Sequence, residues 1–263
     1  MSSVNGSKRK VLVTGAAGAV GQAVMAALRE RGHEIRAMDL RETPGVEGAM
    51  VGTVADAAAV RRAVAGMDTV IHLAATIDDA DFMTELLPNN IVGVYNVLEA
   101  AREAGVKRVV LASTVQTVNG YHRKHAVSLI SPTEAEPTNA YGVTKLFAED
   151  LGKMYARRHG MSVICARLGF MPRNVTTAME FVARPGIKSI YLSHADAGRF
   201  FVRAVEAEGV AYAVLWVLSR REKETGLDMG PTREVLGFEP QDFFPEGLPW
   251  KVPGVTEAIP GVE

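Results

Sequence analysis

An apolar, β-branched run from Lys10 to Thr14 leads directly into Thr14-Gly15-Ala16-Ala17-Gly18-Ala19-Val20-Gly21. Beyond it, Val20 to Arg31 carries apolar residues at Val20, Val24, Ala27 and Leu28. Residues three and four apart share one helix face, so the passage reads as strand, glycine-rich turn, helix. Gly15, Gly18 and Gly21 permit the tight turn and let the backbone approach a pyrophosphate resting on the unpaired N–H groups of the helix start. The spacing is Gly-x-x-Gly-x-x-Gly, not the Gly-x-Gly-x-x-Gly of many dinucleotide sites. Such a turn commits the chain to an α/β sheet.

The rest of the sequence keeps that rhythm. Strands are expected at Glu34 to Asp39, Thr69 to His72, Val109 to Ala112 and Ser162 to Arg167. Helices are expected from Asp56, as N-cap, to about Ala65, from Leu87 to Ala104, and from Ala140 to His159 before Gly160. Alternating strands and helices imply right-handed crossovers, hence α/β architecture: a Rossmann-type doubly wound parallel sheet. After Arg167 the alternation breaks at Pro172 and Pro185, before a helix near Asp196 to Glu208, a strand Tyr212 to Leu218 and a piece Thr232 to Phe238. The expected division is residues 1–170 for cofactor and catalysis, 171–245 for a small, dependent C-terminal substrate-binding cap, and 246–263 for an extended tail containing Pro249, Pro253 and Pro260.

Composition narrows the function classes. A formal net charge of −1 gives no electrostatic case for nucleic acid or an anionic membrane. The longest apolar stretch, Gly209 to Leu218, has ten residues, against the roughly 20 that span a bilayer. With no apolar signal-peptide core at the start, a cytoplasmic protein is expected. Cys165 is the only cysteine, so no internal disulfide forms. It reads as a small buried strand residue, and His72 as a core histidine.

Asp39 closes the second strand, 18 residues after Gly21. A carboxylate there accepts the adenosine ribose hydroxyls and repels a 2′-phosphate, favouring NAD over NADP, with Arg41 partly offsetting that repulsion. Tyr141 and Lys145 stand at i and i+4 on one helix face. A phenol titrates near 10, so a useful base near neutral pH needs a shift of about three units, roughly 4 kcal/mol. The Lys145 ammonium and an oxidised nicotinamide are the expected sources. Thr114 ends a buried strand, where α/β folds place their chemistry, and its hydroxyl can align a substrate oxygen.

From Val11 to about Phe238 the chain resembles the extended short-chain dehydrogenase/reductases, also called NAD-dependent epimerase/dehydratases. The likeness is carried by Thr14 to Gly21, Asp39, Ile71 to Ala75, Asn90 to Ala101, Ser113-Thr114, Tyr141 to Lys145 and Ser193 to Asp196. It implies Thr114, Tyr141 as base and Lys145 as catalytic residues, and NAD as cofactor. Ala19 and Val20 would approach the pyrophosphate, Thr53 and Val54 the adenine, and Leu73, Ala74 and Ala75 the cleft. Asn90 would support the cofactor, Met171 would complete its site, and Lys145 would also hold the nicotinamide ribose. Thr53 replaces the family's usual aspartate.

Within the family the chain is similar to uronate dehydrogenases, in length and in Tyr191 to Asp196 and Leu236 to Pro240. That likeness implies oxidation of the anomeric carbon of a hexuronic acid, with Thr76, Thr114, Val115, Gln116 and Phe170 facing the sugar. Arg173, or second Arg184, would take the carboxylate. Ser113-Thr114-Val115-Gln116 stands where those enzymes have Ser-Ser-Asn-His. The alternatives are a nucleotide-sugar epimerase/dehydratase with tightly kept NAD, a dehydrogenase acting on another aldose or small alcohol, and a non-catalytic NAD sensor. Dehydratases of this fold follow their threonine with Asp-Glu, whereas Val115-Gln116 follows Thr114. The resemblance also implies a homo-oligomer paired through the two long helices.

Overall fold

The computed structural model describes residues 8–43, 45–78, 80–121, 129–221 and 226–255. The strands are β1 (Lys10–Thr14), β2 (Glu34–Asp39), β3 (Met50–Val51), β4 (Thr69–His72), β5 (Arg108–Thr114), β6 (Ser162–Leu168) and β7 (Tyr212–Val217). All pair in parallel, in the order β3-β2-β1-β4-β5-β6-β7. The chain therefore winds outward one way through β2 and β3, then returns past β1 to continue through β4. The switch point lies between β1 and β4, and the crevice beyond their C-terminal ends is where open α/β sheets bind ligands.

Two apolar cores form, one on each sheet face. Helices α1 (Ala19–Glu30) and α6 (His194–Glu206) pack together over one face. Helices α2 (Ala57–Val64), α3 (Gly93–Glu103) and α4 (Ala140–His159) cover the other. Strands β4 and β5 are buried along their whole length, as a sheet covered on both faces requires. Asp56 caps α2 by accepting from the Ala58 and Ala59 amides, as expected. Cys165 and His72 are both buried, the latter bonded through Nδ1 to Thr14 Oγ1 at 2.8 Å.

Several boundaries differ from the sequence reading. The helix expected from Leu87 begins at Phe82 and runs to Val92 in wider π-type turns before α3. Asp81 caps it by accepting from the Thr84 amide, and the Gly93 amide reaches back five residues to the Pro88 carbonyl. Proline has no N–H to give to an α-type ladder, and the wider turns accommodate it.

The stretch after β6 is also more ordered than expected. It holds α5 (Val175–Ala183), a 3₁₀ segment Pro185–Ile190, and later α7 (Gly230–Leu236). A capping box between Asn174 and Thr177 starts α5. Residues 171–245 are not all cap, because β7 completes the sheet and α6 completes a helical layer. Nor is the described part of the tail loose. The Glu246 carbonyl accepts from the Tyr191 hydroxyl, Trp250 meets His194 edge-on at 5.1 Å, and Val252 is buried. Pro260 lies outside the described residues.

Candidate active site

A cavity of about 1060 Å³ opens at the switch point. Its cofactor end is built by the turn after β1. Gly15 adopts φ +71°, and a Cβ there would stand 2.7 Å from the Ala74 amide nitrogen, at the end of β4. A Cβ on Gly21 would stand 2.4 Å from the Gly15 carbonyl oxygen and 2.7 Å from that of Ala16. These glycines let loop, helix and neighbouring strand close on one another. Gly18 caps α1 without a side-chain bond, and the first turn holds no acidic residue. Ala19 and Val20, the first residues of α1, line the cavity at the positive end of the helix dipole, a fit for a pyrophosphate. Gly21→Ala is expected to weaken NAD binding about tenfold or more, since overpacking at such contacts costs about 1–3 kcal/mol. Calorimetric titration measures it, and unchanged affinity would contradict the cradle.

Asp39 sits beside this turn and organises it. Its carboxylate accepts from the Ala17 amide at 2.9 Å and the Arg41 amide at 3.0 Å. Arg41 lies over it with Nε 3.8 Å from Oδ1, its side chain largely exposed. Asp39, Arg41, Thr53 and Val54, expected to meet the adenosine, line the cavity, as do Leu73, Ala74, Ala75 and Met171. Asn90 is not on the wall. It is buried one layer behind, accepting from the Thr76 amide and donating to the Thr76 carbonyl and the Thr144 hydroxyl. It supports the loop after β4 and ties it to α4, while its neighbour Asn89 reaches the cavity.

Thr114, Tyr141 and Lys145 converge at the other end. Asn139 starts α4 by accepting from the Gly142 amide, and this presents Tyr141 and Lys145 to the C-terminal end of β5. The Thr114 hydroxyl accepts from the Gln116 amide at 3.2 Å, and Thr114 stands close enough to Tyr141 to act on the acidity of its phenol. Lys145 Nζ donates to the Ala112 carbonyl at 2.9 Å and lies 5.6 Å from the Tyr141 ring centre.

The acidity of the phenol runs against the sequence expectation. Burial, then the Asp78 carboxylate, pushes Tyr141 above the ordinary phenol value, against the lowering effects of Thr114 and Arg173. In the protein by itself burial outweighs the groups that would make this phenol acidic, and the positive charge of an oxidised nicotinamide would act in the lowering direction.

Burial also lowers Lys145 from an ordinary 10.5 to about 8, with Glu149 opposing. At neutral pH the ammonium persists beside the phenol. Between about 8 and 10.5 the unfolded chain holds this proton while the folded chain has released it. Stability relative to a neutral side chain is therefore lowest below that window and rises with pH through it. Lys145→Met removes that slope, so any stability advantage of the variant should shrink as pH rises through the window. Urea unfolding at a series of pH values measures it, and a constant difference would contradict the shift.

The sugar-facing residues expected from the sequence, Thr76, Val115, Gln116, Phe170 and Arg173, all line the same cavity, as does Arg184. Phe170 packs on Phe181 of α5 at 5.0 Å between ring centres, giving this end an apolar wall. Arg184 pairs with Glu180 of its own helix. Arg173 lies 3.7 Å from Asp78, half-exposed. Asp78 was not anticipated. Thus an acid does reach the reaction end of the cavity, from the loop after β4 rather than from the residue following Thr114. Among the described residues no group of side chains is arranged to hold a metal ion, and no helix is long and apolar enough to cross a membrane.

Residues 11–172 match the model of the NAD dependent epimerase/dehydratase family. The chain belongs to that family. It is 32% identical over 214 residues to a uronate dehydrogenase of Pseudomonas syringae pv. tomato, covering 80% of this chain and 74% of that one. It is 33% identical to an L-arabinose 1-dehydrogenase (NAD(P)(+)) of Haloferax volcanii, covering 89% and 96%. A crystal structure of a mutant uronate dehydrogenase from Agrobacterium tumefaciens complexed with NAD superposes with a TM-score of 0.74 at 27% identity, covering 90% and 86%. The chain is an NAD-dependent dehydrogenase of the extended short-chain type.

Proposed function

We propose that this dehydrogenase oxidises the anomeric C1 hydroxyl of a hexuronic acid to the aldarolactone. The observation that carries the reading is a single cavity lined by Thr114, Tyr141, Lys145 and an arginine, Arg173. Tyr141 takes the proton of the C1 hydroxyl, while Thr114 holds that oxygen in line with the phenol. Lys145 keeps positive charge beside the phenol, and Arg173 pairs with the sugar carboxylate. Bound NAD supplies the acceptor for the C1 hydride. Similarity to enzymes named for uronates, at 32% identity in one case, supports the substrate class. A panel of uronic acids and neutral aldoses, each assayed with NAD and NADP, tests it. Highest kcat/KM for a uronate with NAD is expected, and turnover restricted to neutral sugars would refute the uronate.

The protein is further proposed to act as a homo-oligomer through α3 and α4. Val143, Phe147 and Met154 lie exposed along α4, and Tyr95 is half-exposed on α3. Large apolar side chains grouped in this way mark an interaction surface. Phe147→Glu should shift sedimentation from dimer or larger to monomer; a wild-type monomer would remove the proposal.

A further inference from the structure

Gln116 and Arg173, two side chains expected to grip the substrate, both turn toward Asp78. Asn139 donates to Gln116 Oε1 at 2.6 Å, which aims the amide nitrogen away from α4. That nitrogen donates to Asp78 Oδ1 at 3.1 Å, while Arg173 Nη2 lies 3.7 Å from Asp78 Oδ2. Two side chains from different loops, one after β5 and one after β6, thus converge on one carboxylate of the cavity lining. The backbone of Asp78 is unusual as well. Its φ of 62° is the only positive value at a non-glycine among the described residues. Left-handed backbone costs free energy at any residue with a Cβ, and such strain persists where surrounding contacts hold it.

We propose that Asp78 is a specificity-determining residue that competes with an acidic substrate for Arg173 and Gln116. A carboxylate held between a guanidinium and an amide donor has the recognition chemistry of a bound sugar acid. The protein's own side chain therefore stands in for that group. An incoming uronate must displace Asp78 from both donors and also meets its negative charge, whereas a neutral aldose can hydrogen-bond to it. Asp78 thereby weakens acidic substrates selectively and keeps Arg173 positioned at the cavity in their absence. The inference rests on the reading that Arg173 receives a substrate carboxylate.

The test is steady-state kinetics of Asp78→Asn, alone and combined with Arg173→Met, on D-glucuronate, D-galacturonate, D-glucose and D-galactose with NAD. Removing one partly exposed charge should lower KM for the uronates about fivefold and change KM for the neutral sugars less than about twofold. The gain should vanish in the double variant. Uronate KM that is unchanged or raised in Asp78→Asn overturns the inference, as does an equal gain for neutral sugars. If the wild type oxidises none of the four sugars, that result counts against the proposed function. Calorimetric titration of D-glucuronate into the NADH complex then decides the role of Asp78. Tighter binding by Asp78→Asn supports it, and equal or undetectable binding by both proteins overturns it.

Discussion

Tyr141→Phe is expected to lower kcat about a thousandfold while leaving NAD affinity within about twofold of wild type, the loss typical of removing a positioned acid–base group. The substitution keeps the buried ring and deletes only the hydroxyl. The Lys145 bond to the Ala112 carbonyl does not depend on that hydroxyl. The glycine-rich turn after β1 is built by other residues and should be unaffected. Because burial and Asp78 hold the phenol proton tightly in the protein by itself, its loss should depend on bound oxidised cofactor. Single-turnover kinetics with saturating NAD separate this step from binding. Retention of wild-type kcat would mean that another group removes the proton.

Glu149→Ala should cost about 3–5 kcal/mol of folding stability, the penalty for stranding one member of a buried ion pair. Glu149 stands one turn beyond Lys145 on α4 and receives both Nε and Nη2 of Arg167, each at 2.8 Å. Its Oε1 also accepts from Ser113, the neighbour of Thr114, at 2.5 Å. Arg167 is 1% exposed, lies over the Trp216 ring and donates from Nη1 to the Glu134 carbonyl. The pair thereby joins α4, β5, β6 and β7 beside Thr114 and Lys145. Chemical denaturation measures the loss, and a change under about 1 kcal/mol would show that the surroundings relax enough to solvate Arg167.

Much of this architecture is legible in the chain because local chemistry and tertiary position agree. Asp56 and Gly160 terminate helices where cap preferences place them, and β2, β4 and α4 match their expected bounds. The failures occur where context decides. The helix expected from Leu87 starts earlier, at Phe82, because π-type turns absorb Pro88 within it. The Asn174–Thr177 box that opens α5 carries a sequence signal, but it follows proline and arginine in a stretch without clear periodicity. Strand β3 has two residues, too few for any pattern. Glu149 looks like any charge on a long helix, and Arg167 like the polar end of a strand. Only their register across the sheet joins them. Thr114, Tyr141, Lys145 and the glycine turn are recognisable as motifs, whereas Asp78 is not, since its proposed role depends on a left-handed backbone and two partners distant in sequence.

The most direct test of the account is the fate of the electrons during turnover. Incubation of the purified protein with excess NAD and D-glucuronate or D-galacturonate, followed by absorbance of reduced nicotinamide and by product analysis, decides it. Net oxidation predicts free NADH accumulating mole for mole with sugar lactone, and about a thousandfold more slowly with Tyr141→Phe. Conversion of a nucleotide-linked sugar to its epimer or dehydrated product, with no net NADH and no turnover of free sugars, would contradict it.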